Sequence, residues 1–397
     1  MMNYKRQEIE ILASRIENEP VRFIQVIYGP RQVGKTTLVQ QFLEKTKLPS
    51  HYISADAVRG DDGIWISQQW EAARIMAAKS NEKRFVLVVD EVQKIENWSE
   101  YVKKEWDKDR LQGTTLHVIL LGSSRMMLQK GLTESLAGRY EAIWLGHWSF
   151  REMADAFGLT ADQYVWFGGY PGAVPLMANE SRWKQYVRDS LVEATVSKDI
   201  LMMTRVDKPA LMKNMFELGC EFSGQILSYT KMLGQLHDAG NTTTLSHYLS
   251  LLNSAGLLAG LEKFTPNKIR KRASSPKFQV YNTALKSAQS QFTFDEIYEQ
   301  PSEWGRWVET AAGAHLLNHN MKGDFELLYW RQGNDEVDFV LKKGEKVIGL
   351  EVKSSSAKRT SGMKAFSGQF HTDKVLLIGD GGLPWQEFMQ INPEELF

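Results

Sequence analysis

The chain has 397 residues, of which 43% are hydrophobic and 24% charged, and its formal net charge is zero. That length is enough for two or three domains, and the charge balance excludes a protein that coats nucleic acid by charge alone. A single cysteine, Cys220, excludes an intramolecular disulfide framework and a cysteine-based zinc site.

In chain order, the first element is an apolar strand over Phe23, Ile24, Val26 and Ile27. It runs into Gly29-Pro30-Arg31-Gln32-Val33-Gly34-Lys35-Thr36-Thr37, a complete G-x-x-x-x-G-K-[ST] pattern. Leu38, Val39, Phe42 and Leu43 then share one helical face. A glycine-rich turn between strand and helix wraps a polyphosphate with backbone N–H groups, and the helix N-terminus adds partial positive charge. In that setting Lys35 reaches the β- and γ-phosphates and Thr36 ligates Mg2+.

Phe85-Val86-Leu87-Val88-Val89-Asp90-Glu91 reads as a strand buried on both faces that ends in two carboxylates. Asp90 is placed to hold Mg2+ through water, and Glu91 to orient or deprotonate the attacking water. Alone the pair reads equally well as a solvated strand end; the phosphate loop favours hydrolysis. A third apolar run, Val118 to Leu121, leads into Gly122-Ser123-Ser124, where a polar side chain contacts the γ-phosphate or the lytic water. With His51 to Ser54 and Tyr140 to Leu145, these strands alternate with helices and imply a parallel sheet covered on both faces. The nucleotide belongs beyond the carboxyl ends of the strands.

Ser149-Phe150-Arg151-Glu152 is a capping-box pattern, and Gly168-Gly169-Tyr170-Pro171-Gly172 a breaker cluster. The chain then turns helical, with Trp183, Tyr186, Val187, Leu191 and Ala194 forming one core stripe and Leu211, Met215 and Leu218 another. Further on, a helix at Tyr229 to Leu236, a turn at 237–241, a helix from Thr242, and strands at Leu257 to Leu261 and Phe278 to Tyr281 follow the order of a winged helix. The second of these helices offers Thr243, Thr244, Ser246, His247 and Ser250 to a groove, and Lys268, Arg270, Lys271 and Arg272 clamp phosphates from the wing. Residues 261–290 hold seven basic side chains, including Lys263, Lys277 and Lys286, against Glu262 alone. The same fold also serves protein interaction, so a protein partner stands beside DNA as the alternative.

After Pro301 come a helix carrying Glu309 and three strand-like runs, Leu327 to Arg331, Val337 to Leu341 and Val347 to Lys353. Alternation along the last run puts Ile348, Leu350 and Val352 on one face and Glu351 and Lys353 on the other. Asp338 on the adjoining strand then converges with Glu351 and Lys353, and Glu309 arrives from the helix. Three carboxylates and an ammonium suit a hard divalent metal at a phosphodiester-cleaving site. A surface ion pair between Glu351 and Lys353 is the competing reading.

The phosphate loop, Val88-Val89-Asp90-Glu91 and the polar residue after the third strand resemble an AAA+ ATPase. That resemblance implies ATP with Mg2+, a sensor at Ser123 or Ser124, and an arginine acting in a neighbouring subunit. Arg139, in Leu136-Ala137-Gly138-Arg139, matches that arginine, with Arg125 as the alternative; the resemblance implies a homo-oligomer of the hexamer-type ring kind. Asp338 and Glu351-Val352-Lys353 resemble the PD-(D/E)XK nuclease core. In order, these pieces, with Tyr329-Trp330-Arg331 and Glu336-Val337-Asp338-Phe339, resemble a bacterial and archaeal family of ATPases with a C-terminal restriction-endonuclease-like domain of unknown function. The expected layout is α/β throughout: an AAA+ domain over 1–160, a helical linker over 161–222, a winged helix over 223–290 and a nuclease-like domain over 291–397. It implies an ATP-hydrolysing protein linked to DNA, with branched DNA among the candidate forms; a nucleotide-gated switch with a protein partner and an inert nuclease-like fold is the alternative. No apolar run nears the roughly 18 residues of a membrane span and no secretory signal follows the first residues, so the expected compartment is the cytoplasm.

Overall fold

The computed structural model describes residues 4–122, 132, 135–201, 206–236, 240–266, 274–320, 323–354 and 361–397. The chain divides into two compact units, Met1–Leu145 and Gly146–Phe397. Among the described residues no helix is long and apolar enough to cross a membrane.

In the first unit, β1 (Ile24–Tyr28), β2 (Ser50–Ser54), β3 (Phe85–Asp90), β4 (Leu116–Gly122) and β5 (Tyr140–Trp144) form a wholly parallel sheet in the order β2-β3-β4-β1-β5. Successive side chains of β3 point to opposite faces, so its residues divide between two cores. Val86 and Val88 pack with α1 (Glu8–Glu17) and α2 (Lys35–Thr46), while Leu87 and Val89 pack with α3 (Ile64–Lys79) and α4 (Trp98–Gln112). Covering both faces is what requires an unbroken apolar strand rather than an alternating one. Each such side chain stabilises the layered fold by about 1.5–3 kcal/mol relative to exposure.

The second unit begins with helices. Ser149 caps the helix Phe150–Phe157, its hydroxyl accepting from the Glu152 N–H at 3.3 Å while the Glu152 carboxylate accepts from the Ser149 N–H at 2.8 Å. Helices Pro209–Glu221, Tyr229–Leu233 and Thr242–Ser254 are followed by the antiparallel pair β6 (Leu258–Lys263) and β7 (Lys277–Val280), and Ile226 bridges to Lys277 ahead of the second helix. After the helix Pro301–His319 come β8 (Glu326–Gln332), β9 (Asp335–Lys343), β10 (Lys346–Lys353) and β11 (Lys374–Gly379). All join one mixed sheet, ordered β11-β10-β9-β8-β6-β7. The link is a parallel pairing of Glu262 with Leu328 and Lys263 with Tyr329. The hairpin and the C-terminal strands, which the sequence separates at residue 290, are therefore parts of one sheet.

The fold class is α/β as expected, with a parallel-sheet first unit, helices in the middle and a C-terminal α/β sheet.

Candidate functional site

The phosphate loop leaves the carboxyl end of β1, between β4 and β5. Gly29 is required there by close approach: a Cβ built on it would lie 1.9 Å from the backbone oxygen of Leu145. At the other end of the loop Gly34 takes φ +91° and opens α2. A side chain there would strain the backbone, since only glycine adopts that region freely. Lys35, the first residue of α2, is buried and donates to the backbone oxygens of Gly29 and Pro30 at 2.9 and 2.7 Å. The loop's own carbonyls thus hold the ammonium directly over the turn that would receive a phosphate. The buried Arg6 guanidinium braces the loop from outside it, donating to the Val33 oxygen at 3.4 Å.

Across the sheet's carboxyl edge, the Thr36 hydroxyl donates to Asp90 Oδ2 at 2.9 Å. The Tyr52 hydroxyl on β2 donates to the same oxygen. Asp90 Oδ1 accepts from the Glu91 N–H at 2.8 Å. A hydroxyl and a carboxylate in hydrogen-bond contact are hard oxygen donors, and this set fits Mg2+. Glu91 stands in the left-handed region at φ +53°. For a non-glycine residue that is a strained backbone, of the kind stored at functional sites at a cost of order 1–3 kcal/mol. Burial is the largest influence on the Glu91 carboxyl and raises it above the ordinary range, opposed by Lys35 and reinforced by Asp90. A carboxylate so raised is a better proton acceptor near neutral pH.

Lys35, Thr36, Asp90 and Glu91 are thus brought together at one edge. Ser123, Ser124 and Arg125 lie outside the described residues. Arg139 stands elsewhere: it immediately precedes β5, and its carbonyl accepts from Ile24 at the opening of β1. That is the opposite end of the sheet from the loop. Its guanidinium makes a two-point ion pair with Asp107, at 2.8 and 3.1 Å. Tyr52 and Arg6 are contacts that sequence patterns do not single out, because each depends on which strand or helix lies alongside.

In the second unit the register carries out the expected convergence. Leu350 pairs with Phe339, which places Glu351 beside Asp338, and Val352 N donates to Asp338 Oδ2 at 2.8 Å. Glu351 and Lys353 are 3.3 Å apart. Together with Glu309 they line a cavity of about 690 Å³ that also includes Arg331 and Glu336. What the sequence did not place there is Lys277. Its fully buried ammonium lies 2.7 Å from Glu309, 3.5 Å from Asp338 and 3.6 Å from Glu336. The expected donor set for a divalent metal therefore comes with a cation already among it, and it does not fit such an ion. Among the described residues no group of three His, Cys, Asp or Glu side chains stands at metal-binding spacing.

Lys277 and Lys286, counted from sequence with the basic surface, are both buried. Lys286 donates to the Ser223 oxygen at 3.2 Å and sits over the Trp307 ring. Lys268, Arg270, Lys271 and Arg272 lie outside the described residues. The helix Thr242–Ser254 buries Leu245, Leu249 and Leu252 and exposes Thr243, Ser246, His247 and Ser250, which line a shallow cavity of about 460 Å³.

An uncharacterised protein of Haemophilus influenzae is 22% identical over 358 residues, covering 86% of this chain and 85% of that protein. An uncharacterised protein of Mycobacterium tuberculosis is 24% identical over 339 residues, covering 83% and 70% respectively. Among solved structures, the Aeropyrum pernix Orc1 protein in complex with DNA matches at TM-score 0.31 and 14% identity, over 73% of this chain and 92% of that one. The Thermotoga maritima RuvB Holliday junction branch migration motor matches at 0.33 and 15%, over 66% and 88%. Residues 159–296 match a domain of unknown function (DUF8612) and residues 304–393 another (DUF4143). Residues 21–154, which hold the phosphate loop, Asp90 and Glu91, match the model of an AAA domain.

Proposed function

We propose that this chain binds and hydrolyses ATP and couples its nucleotide state to DNA binding or remodelling through the second unit. The observation that carries the ATPase reading is the hydrogen bond of Thr36 to Asp90 at 2.9 Å beside the phosphate loop, with Glu91 next in the chain. Lys35 would exchange the carbonyls of Gly29 and Pro30 for phosphate oxygens, Thr36 would ligate Mg2+, and Asp90 would hold it through water. Bound Mg2+ supplies neutralisation of the phosphate charge. Glu91, raised by burial, orients and deprotonates the attacking water.

Arg139 is assigned to a neighbouring copy's site. Strands rise about 3.3 Å per residue, so the length of β5 separates it from its own phosphate loop. A ring of like subunits, hexamer-type, is the arrangement that lets it act.

The DNA reading rests on the helix Thr242–Ser254, whose exposed face carries short hydrogen-bonding side chains and no acidic ones at Thr243, Ser246, His247 and Ser250. Three helices, a bridging strand residue at Ile226 and the hairpin β6–β7 follow the order of a winged helix. The burial of Lys277 and Lys286 removes two cations from the surface and favours the second reading, a nucleotide-gated switch with a protein partner.

The deciding experiment is the steady-state ATPase rate of wild type and Lys35→Ala, alone and with single-stranded, duplex and four-way-junction DNA. Stimulation by one DNA form, lost in the variant, supports the DNA-coupled reading. A Lys35-dependent rate indifferent to every DNA transfers the weight to the switch, and absence of turnover in the wild type overturns the ATPase reading.

A further inference from the structure

We propose that the Lys277 ammonium is the resident cation of the C-terminal carboxylate cluster, that it holds the place a divalent metal would take, and that this unit does not cleave phosphodiesters by metal catalysis. Four oxygens surround Nζ: Glu309 Oε1 at 2.7 Å, the Asp338 carbonyl at 3.2 Å, Asp338 Oδ1 at 3.5 Å and Glu336 Oε1 at 3.6 Å. That is the kind of oxygen shell a hard cation recruits, at ammonium rather than metal distances, which run about 2.0–2.6 Å for Mg2+ and Ca2+.

Lys277 cannot leave as a surface lysine would. Its side chain is 0% exposed. Its backbone is pinned on both sides, paired with Leu261 and bridged to Ile226. The Phe339 ring lies 5.0 Å from its ammonium. A divalent ion would have to enter beside a fixed positive charge, with Lys353 as a second one 3.3 Å from Glu351.

The other oxygens of the cluster are partly engaged. Asp338 Oδ2 is taken by the Val352 N–H at 2.8 Å. Glu351 Oε2 is buried in the wall of the cavity with no hydrogen-bond partner. That oxygen is open to a ligand, and it is the positive charges of Lys277 and Lys353 that keep a divalent ion out. With Lys277 replaced by a neutral side chain, Glu309 and Asp338 lose their counter-charge, only Lys353 remains beside Glu351, and the cluster can take a metal.

The test is Mn2+ binding to the nucleotide-free full chain, followed by titration calorimetry and by loss of the free-ion electron paramagnetic resonance signal. Wild type and Glu351→Gln should give superimposable curves. Lys277→Met should acquire one saturable Mn2+ site that Lys277→Met/Glu351→Gln weakens by about tenfold or more, and Mn2+ should raise the melting temperature of Lys277→Met alone. A wild-type site lost in Glu351→Gln overturns the proposal, as does a folded Lys277→Met that gains no site. If Lys277→Met does not fold, the comparison of wild type with Glu351→Gln still decides. Cleavage of supercoiled plasmid by wild type with Mn2+, abolished by Glu351→Gln, would also overturn it.

Discussion

Thr36 and Asp90 lie 54 positions apart in the chain, yet the hydroxyl of one donates to the carboxylate of the other at 2.9 Å. The contact requires β3 to end level with the start of α2, which the intervening β4 arranges by pairing with both β3 and β1. It also separates the roles of neighbouring residues, with Asp90 turned toward Thr36 and Glu91 held apart in a left-handed backbone conformation.

Glu91→Gln keeps the shape of the site and removes the proton acceptor. Turnover should fall by about 10²–10⁴-fold with ATP affinity near wild type, whereas Lys35→Ala should lose affinity as well. Single-turnover hydrolysis paired with equilibrium nucleotide binding separates the two. Equal losses of affinity in both variants would remove Glu91 from the chemistry.

Gly29→Ala places a methyl group 1.9 Å from the Leu145 carbonyl, which belongs to the backbone and cannot swing aside. The loop or the end of β5 must shift, so stability should drop by about 1–3 kcal/mol and nucleotide affinity should fall with it. Urea unfolding checks the first and nucleotide titration the second. A variant within about 0.5 kcal/mol of wild type would show that the loop yields freely.

Arg139 is held by Asp107 in a half-exposed ion pair. Such pairs contribute about 0–1 kcal/mol, so a neighbouring phosphate can capture the guanidinium at little cost. Arg139→Ala should slow turnover by about 10³-fold without weakening ATP binding. Mixing it with Lys35→Ala subunits should restore activity, because the mixed interface pairs an intact loop with an intact arginine. No recovery on mixing would place Arg139 outside the neighbour's site.

Burial pushes the Lys286 ammonium down to about 8 from an ordinary lysine value of 10.5. Between those values the unfolded chain binds a proton that the folded chain lacks, so stability rises with pH across that window. Below pH 8 both states are protonated and the burial penalty is felt in full, on the order of 3 kcal/mol. Lys286→Met should lack this slope and should gain stability relative to wild type at pH 7, the difference narrowing by pH 10. Urea midpoints of both proteins at the two pH values test it; parallel profiles would mean that Lys286 stays charged throughout.

The nucleotide edge was readable because its information is local. The loop pattern Gly29 to Thr36, the buried strand ending in Asp90-Glu91 and the two-face burial of β3 each follow from a few consecutive residues. The same holds for the Ser149 cap, where donor and acceptor are three residues apart. The Asp338–Glu351 convergence was readable too, since strand alternation and a short hairpin fix which side chains meet.

Lys277 and Lys286 show where that reading stops. Both sit in a stretch rich in basic residues, and composition alone assigns them to solvent. Only the tertiary structure shows that Lys277 pairs with Leu261 in a strand of the same sheet as Asp338. There the three carboxylates around its ammonium make a buried charge tolerable. The sequence by itself determined the phosphate loop, the acidic strand end and the layered first unit, because periodicity and spacing encode them within single elements. The tertiary structure decided that Arg139 faces away from its own loop and that a lysine sits among the C-terminal carboxylates. Burial and charge pairing are set by neighbours distant in the chain, and no local pattern carries them.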